Sequence, residues 1–153
     1  MWDRAQRLVD RQEAGRLLAR DLEAYGRHRD TVVLGLPRGG VVVAFEVAKA
    51  LDLPLDVYLV RKLGAPGQEE LAVGAIASGG VRVLNDDVVS ALHLDEADIK
   101  RMAARELERL EERERLYRGH TRSLELRGMQ VIVVDDGLAT GASMRTAVRS
   151  LRS

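Results

Sequence analysis

The sequence predicts an α/β protein, in which a parallel sheet is flanked by helices, and three runs of residues carry that prediction. An apolar, β-branched run from Thr31 to Leu36 is broken by Pro37-Arg38-Gly39-Gly40 and followed by Val41–Leu51, whose alanines suit a helix. After Pro54 a second apolar run, Asp56–Val60, completes a strand–helix–strand unit. Near the other end Val131-Ile132-Val133-Val134 reads as a strand buried on both faces, as in parallel sheets, and gives way to two aspartates, a glycine-rich turn and a further helix.

The remaining elements follow in chain order. Asp3 with Gln6 three positions later has the form of a capping box, and Leu8, Leu18, Leu22 and Tyr25 recur at roughly helical spacing until Gly26, which predicts an N-terminal helix. Arg61-Lys62 close the second strand, and Gly64–Glu70 reads as a loop. Leu71–Ala77 and Val81–Leu84, joined by Ser78-Gly79-Gly80, read as a β-hairpin. Asp95 opens a long amphipathic helix with Ile99, Met102, Ala103, Leu107, Leu110 and Leu116 on one side, ending near Gly119. The expected organisation is one domain over residues 1–153, with a core at about 27–70 and 127–153 and a hairpin and long-helix insertion at about 71–126.

Composition removes several functions. Twenty-four basic residues balance twenty-four acidic ones, so no broad field attracts nucleic acid or an anionic membrane. The arginines of the Asp95–Arg118 helix are interleaved with Glu106, Glu108, Glu111, Glu112 and Glu114, which marks a solvated face or a homodimer face. With no cysteine there is no disulfide, thiolate zinc site or cysteine nucleophile. His28, His93 and His120 lack metal-ligand spacing. No stretch reaches the ~18 apolar residues of a membrane span, and a cytoplasmic protein is expected.

Ligands of open α/β sheets bind beyond the carboxyl ends of the strands, which directs attention to Asp135–Ser143. Its small residues let backbone N–H groups crowd round a tetrahedral anion, and the next helix adds its positive end. Thr140 and Ser143 can donate hydroxyl bonds. The lysine of a nucleotide-triphosphate P-loop is missing. Asp135 and Asp136 would repel a phosphate they faced and should meet hydroxyl donors instead. A ribose 5-phosphate offers both features. The plainer alternative, two acids at a strand end before a tight turn, leaves the four small loop residues unexplained.

Val131–Ser143 resembles the phosphoribosyl-pyrophosphate signature of type I phosphoribosyltransferases over thirteen residues. Gly35–Gly40 is similar to that family's pyrophosphate loop, and Arg61-Lys62 stands where many members place basic residues before a mobile catalytic loop. Arg61–Pro66 and Tyr117–Gly119 are shared with uncharacterised bacterial phosphoribosyltransferase-domain proteins, so the likeness runs through nearly the whole chain. The resemblance implies a Rossmann-like fold whose last core strand would lie past Ser153. It implies 5-phosphate binding by Ala139, Thr140, Gly141, Ala142 and Ser143, ribose binding by Asp135 and Asp136, and pyrophosphate binding by Arg38, Gly39 and Gly40. Arg61 and Lys62 would be the catalytic residues, and Mg²⁺ would be held through the substrate near the two aspartates.

The expected activity is therefore displacement of pyrophosphate from 5-phosphoribosyl 1-pyrophosphate by a nitrogenous acceptor. Two departures narrow it. Ala139 stands where salvage enzymes for 6-oxopurines have an aspartate, which argues against that acceptor class. Gly64–Glu70 holds no lysine or histidine, so Lys62 or one of Arg118, His120 and Arg122 would have to shield the leaving group. The same lack motivates the alternative of a non-catalytic domain that binds the donor and regulates a partner.

Overall fold

The computed structural model describes residues 10–26, 28–119, 124–138 and 141–153. It divides into two compact units, one from Met1–Val57 with Ser123–Ala139, the other from Tyr58–Arg122 with Thr140–Ser153. Each confirms part of the α/β expectation.

The first unit holds a three-stranded parallel sheet in the order β2-β1-β6, from β1 (Thr31–Gly35), β2 (Leu55–Val57) and β6 (Gln130–Val134). β1 is central and buried along its length, with Val32, Val33 and Leu34 fully inaccessible. The register pairs Gly35 with both Val57 and Val134, so all three strands finish at one level. β6 departs from expectation. It has a strand neighbour on one side only among the described residues, and of its five residues only Val134 is buried.

Helix α2 (Gly39–Leu51) covers this sheet. Val43, Ala44, Val47, Ala48 and Leu51, at helical spacing, pack with Val33, Leu53 and Val134 into the core. Helix α1 (Arg11–Asp21) packs on α2 and adds Leu18 and, just past its end, Leu22. It is capped by Asp10, whose side chain accepts from the Glu13 N–H at 2.8 Å. A methyl group on Gly15 would lie 2.5 Å from Glu46 Cβ, which shows how closely α1 and α2 approach. The expected helix continuing to Tyr25 ends at Asp21, after which Glu23–Tyr25 forms a short 3₁₀ turn. The Asp3–Gln6 capping box lies outside the described residues.

The second unit is built on an antiparallel sheet, β3-β4-β5, from β3 (Val60–Ala65), β4 (Gln68–Ala77) and β5 (Val81–Leu84). The β4–β5 hairpin matches expectation, with Gly79 and Gly80 at φ of 83° in its turn. The Asp56–Val60 strand does not. Asp56 and Val57 belong to β2, which pairs parallel to β1, Val60 begins β3, which pairs antiparallel to β4, and Tyr58 and Leu59 between them are in neither strand. Gly64–Glu70 is likewise no open loop. The strands run up to a two-residue turn, Pro66-Gly67, in which proline sets the first φ and Gly67 takes φ of 77°, the requirement of a type II turn. Register shifts at Leu63/Gly64 and Gly64/Ala65 disrupt the alternation that would have betrayed a strand.

A short helix α3 (Asp86–Ala91), absent from the sequence expectation, precedes α4 (Glu96–Arg118). The capping box of α4 is formed by Asp95 and Asp98, and Ile99, Ala103 and Leu110 are its buried positions. Helix α5 (Ala142–Arg152) rests on the antiparallel sheet through Ala147 and Ser150. The buried Tyr58 and Ser150 hydroxyls lie 2.7 Å apart, and Ser150 Oγ donates to the Ala147 carbonyl at 2.8 Å. No helix among the described residues is long and apolar enough to cross a membrane.

Candidate functional site

Parallel strands that finish level send their following loops out on one side. β1 and β6 do this, and the junction is tied by the Leu36 N–H donating to the Val134 carbonyl at 2.9 Å. Pro37–Gly40 and Asp135-Asp136 therefore leave the sheet next to each other, where α2 begins with Arg38 as its N-cap. The Pro37–Arg38 peptide is cis, and the Arg38 side chain is exposed.

Both glycines of this loop are closely approached, Gly39 by side-chain ends and Gly40 by backbone. A Cβ on Gly39 would fall 1.9 Å from Asp136 Oδ2, and one on Gly40 would fall 2.8 Å from the Val134 carbonyl oxygen and 2.9 Å from Asp135 Cα. The acidic pair thus presses against the loop whose backbone is expected to face an anion. Five predicted site residues, Arg38, Gly39, Gly40, Asp135 and Asp136, come together within the first unit.

The two carboxyls are set apart electrically. Burial pushes Asp135 above the ordinary carboxylate range and the Asp136 carboxylate pushes it further, against the lowering effect of the Asp136 N–H, which donates to Asp135 Oδ1 at 2.8 Å. The Arg11 guanidinium holds Asp136 below that range. Arg11 Nε donates to Asp136 Oδ2 at 3.0 Å, and Nη2 of the same guanidinium is ion-paired with that oxygen at 2.9 Å. These residues border an open cleft of about 610 Å³ together with Gln12, Ala14 and Val42. Arg11 was not foreseen, because 125 positions separate it from Asp136 and nothing in α1 singles it out.

The other predicted residues belong to the second unit. Gly141 caps α5 with φ of 77°, and Ala142 and Ser143 open that helix, exposed. An α-helix leaves its first N–H groups without intrahelical carbonyls, the arrangement an anion needs. A Cβ on Gly141 would lie 3.0 Å from Arg145 Nη1, so this guanidinium folds back over the helix start. Its place four residues past the glycine, one helical turn on, is the sequence signal for this position. Ala139 and Thr140 lie outside the described residues.

Arg61 and Lys62 sit within β3 and not in a loop. Arg61 Nε donates to Glu106 Oε2 on α4 at 2.7 Å, and Glu106 also receives Arg109 at 3.0 Å. Lys62, the next residue along the strand, points to the opposite face and is exposed. Arg118, a substitute cation by sequence, donates to Glu114 at 2.8 Å and its side chain is only 13% exposed. His120 and Arg122 lie outside the described residues.

Comparison with known proteins bears on the same segments. A family profile described as "Phosphoribosyl transferase domain" matches residues 6–153. Two Mycobacterium tuberculosis sequences from different strains, each named "Putative phosphoribosyl transferase", are 54% identical over 145 residues, or 94% of this chain and 32% of their own length. The chain thus spans about a third of these relatives. The crystal structure of TT1426 from Thermus thermophilus superposes with a TM-score of 0.78 at 46% identity, covering 96% of this chain and 69% of that one.

Proposed function

Because the chain belongs to the phosphoribosyl transferase domain family, we propose that it transfers the 5-phosphoribosyl group of 5-phosphoribosyl 1-pyrophosphate to a nitrogenous acceptor, with a nucleobase the leading class. The observation that carries this reading is the shared exit of the glycine loop and the acidic pair from neighbouring strand ends, joined by chain continuity to the small-residue loop at 139–143.

In this reading the C1–O bond to pyrophosphate breaks as a nitrogen lone pair bonds to C1, and the nitrogen afterwards loses its proton. C1–O cleavage runs ahead of C1–N bonding, so the sugar is cationic in the transition state, and catalysis consists of fixing the ends of the donor and holding water off. Asp135 and Asp136 accept the 2- and 3-hydroxyls. Gly141, Ala142 and Ser143, with Ala139 and Thr140, take the 5-phosphate, aided by the charge of Arg145. Arg38, Gly39 and Gly40 take the pyrophosphate, where glycine backbone allows close approach and Arg38 adds charge-assisted bonds.

Magnesium fits this chemistry through oxygen ligands. Asp135 and Asp136 supply hard oxygens, and no cluster of three or more His, Asp or Glu among the described residues could hold a metal alone, so donor oxygens would complete its shell. When bound it would neutralise the departing diphosphate. Of the Arg61-Lys62 pair, Lys62 is the residue left to shield the leaving group in this reading, since Arg61 is committed to Glu106. The test is pyrophosphate release with Mg²⁺ across purine and pyrimidine bases. Donor binding with no turnover on any base would sink the transferase reading.

One observation favours a second reading, a regulatory domain that binds the donor without reaction. The Pro66-Gly67 turn is tight and Gly64–Glu70 carries no basic residue, so the place of a mobile cationic loop is taken by a hairpin. Calorimetry with the donor and Mg²⁺, run beside the turnover assay, separates the two.

A further inference from the structure

The donor-binding reading leaves an electrostatic difficulty. Asp136 lies against Gly39, so a diphosphate received by that loop must approach a carboxylate, and like charges at such range repel strongly. We propose that Arg11 is a residue of the pyrophosphate subsite, neutralising Asp136 and offering its remaining N–H groups to the diphosphate. This rests on the donor-binding reading and extends it to a residue on another helix.

Four features point to this role. Arg11 meets Asp136 at a single oxygen, Nε donating to Oδ2 and Nη2 standing 2.9 Å from the same atom, which engages at most two of the five donors a guanidinium carries. The side chain is 59% exposed and borders the cleft of about 610 Å³, so the other donors are within reach of a ligand. Its Nε lies 2.7 Å from the position a Gly39 Cβ would take, which places the guanidinium beside the loop itself. And α2 begins here, so the cation stands near the positive end of a helix, an unfavourable place that a neighbouring anion relieves. Asp136 is one such anion and a diphosphate would be a second. An arginine suits the task because its planar fork can bridge two anions at once, whereas an ammonium is a point charge.

An ordinary exposed ion pair would have none of these ligand consequences. The distinction is measurable by calorimetry on the 153-residue chain with three probes, each with Mg²⁺: inorganic pyrophosphate, 5-phosphoribosyl 1-pyrophosphate and ribose 5-phosphate. Arg11→Gln should weaken the first two by about 10- to 100-fold, the range of a lost charge-assisted bond, and leave ribose 5-phosphate within about threefold. Arg11→Lys should fall between. Adding Asp136→Asn to Arg11→Gln should recover part of the pyrophosphate affinity, because the repelling charge has gone. Unchanged pyrophosphate binding in Arg11→Gln would overturn the assignment. So would an equal loss for all three probes, which would make Arg11 a positioning residue for Asp136 alone. If the wild-type chain binds none of the probes, the donor-binding reading itself fails and takes this assignment with it. If wild type binds and only the Arg11 comparison fails, that reading stands.

Discussion

Alanine at Gly39 and at Gly40 should fail in different ways, although the two residues are adjacent. Neither has a positive φ, and both begin α2, so helix propensity alone would favour alanine by up to ~1 kcal/mol. Packing opposes this. At Gly39 the new methyl meets Asp136 Oδ2 at 1.9 Å and Cγ at 2.5 Å, the end of a side chain that is 32% exposed and can swing away. At Gly40 it meets the Val134 carbonyl oxygen and Asp135 Cα, which belong to backbone paired with β1 and cannot move alone. Overpacking costs about 1–3 kcal/mol, so Gly39→Ala should lie within ~1 kcal/mol of wild type and Gly40→Ala should lose about 1–2 kcal/mol. For a chain of this size the latter corresponds to roughly 2–8 °C in Tm. Donor affinity should nevertheless fall in Gly39→Ala, because its Asp136 no longer faces the ribose. Urea unfolding gives the stabilities and calorimetry the affinities. A Gly39→Ala variant less stable than Gly40→Ala, or one that binds the donor like wild type, would refute the reasoning.

The remaining predictions concern other parts of the molecule. Asp135 has a raised pKa, so its charged form costs stability above that pKa, and the cost vanishes as pH falls through it; Asp135→Asn should raise Tm at pH 7 while weakening donor binding. Asp136 has the opposite sign: its stabilisation is present above the ordinary carboxylate pKa of about 3.9 and is lost as pH falls through its lowered value, a decline that Arg11→Gln should diminish in acid titrations followed by circular dichroism. Ser150→Ala would leave the buried Tyr58 hydroxyl without its partner and should cost about 1–3 kcal/mol, whereas Tyr58→Phe leaves Ser150 bonded to Ala147 and should cost about 1 kcal/mol, both read by urea unfolding. Lys62→Ala should lower turnover by about 10- to 100-fold with donor affinity little changed, and an unaltered kcat would remove Lys62 from the reaction.

What could be read from the sequence had local causes. The strand at Thr31, the helix start at Asp95, the hairpin about Gly79 and the helix after Gly141 are each announced by residues within a few positions. The acid pair and the glycine loop were readable as neighbours because both follow strands. What failed depended on partners remote in sequence. Nothing near Asp56 reveals that Val57 pairs with β1 while Val60 pairs with β4. The strands that run up to Pro66-Gly67 were concealed by composition and by the bulged register before the turn. Arg61 read as a catalytic cation at a strand end because Glu106, the partner that engages it, lies 45 positions away. Arg11 could not be connected with Asp136 for the same reason.

The pairing of β1 with β6 also bears on the order in which the chain acquires its structure. Thr31 and Gln130, whose side chains are bonded across the two strands, are 99 positions apart. Closing so long a loop carries a length-dependent entropy cost of about 4 kcal/mol, while the β3–β4 hairpin closes across a two-residue turn. Hairpins of that kind form in about 1–10 μs. During synthesis β1 must wait with one edge open until Val134 has left the ribosome, by which time β3, β4, β5 and α4 are complete. The parallel sheet that carries the acidic pair is thus expected to close after the antiparallel one, and slow translation through residues 124–138 would prolong the exposure of the Val32–Leu34 edge.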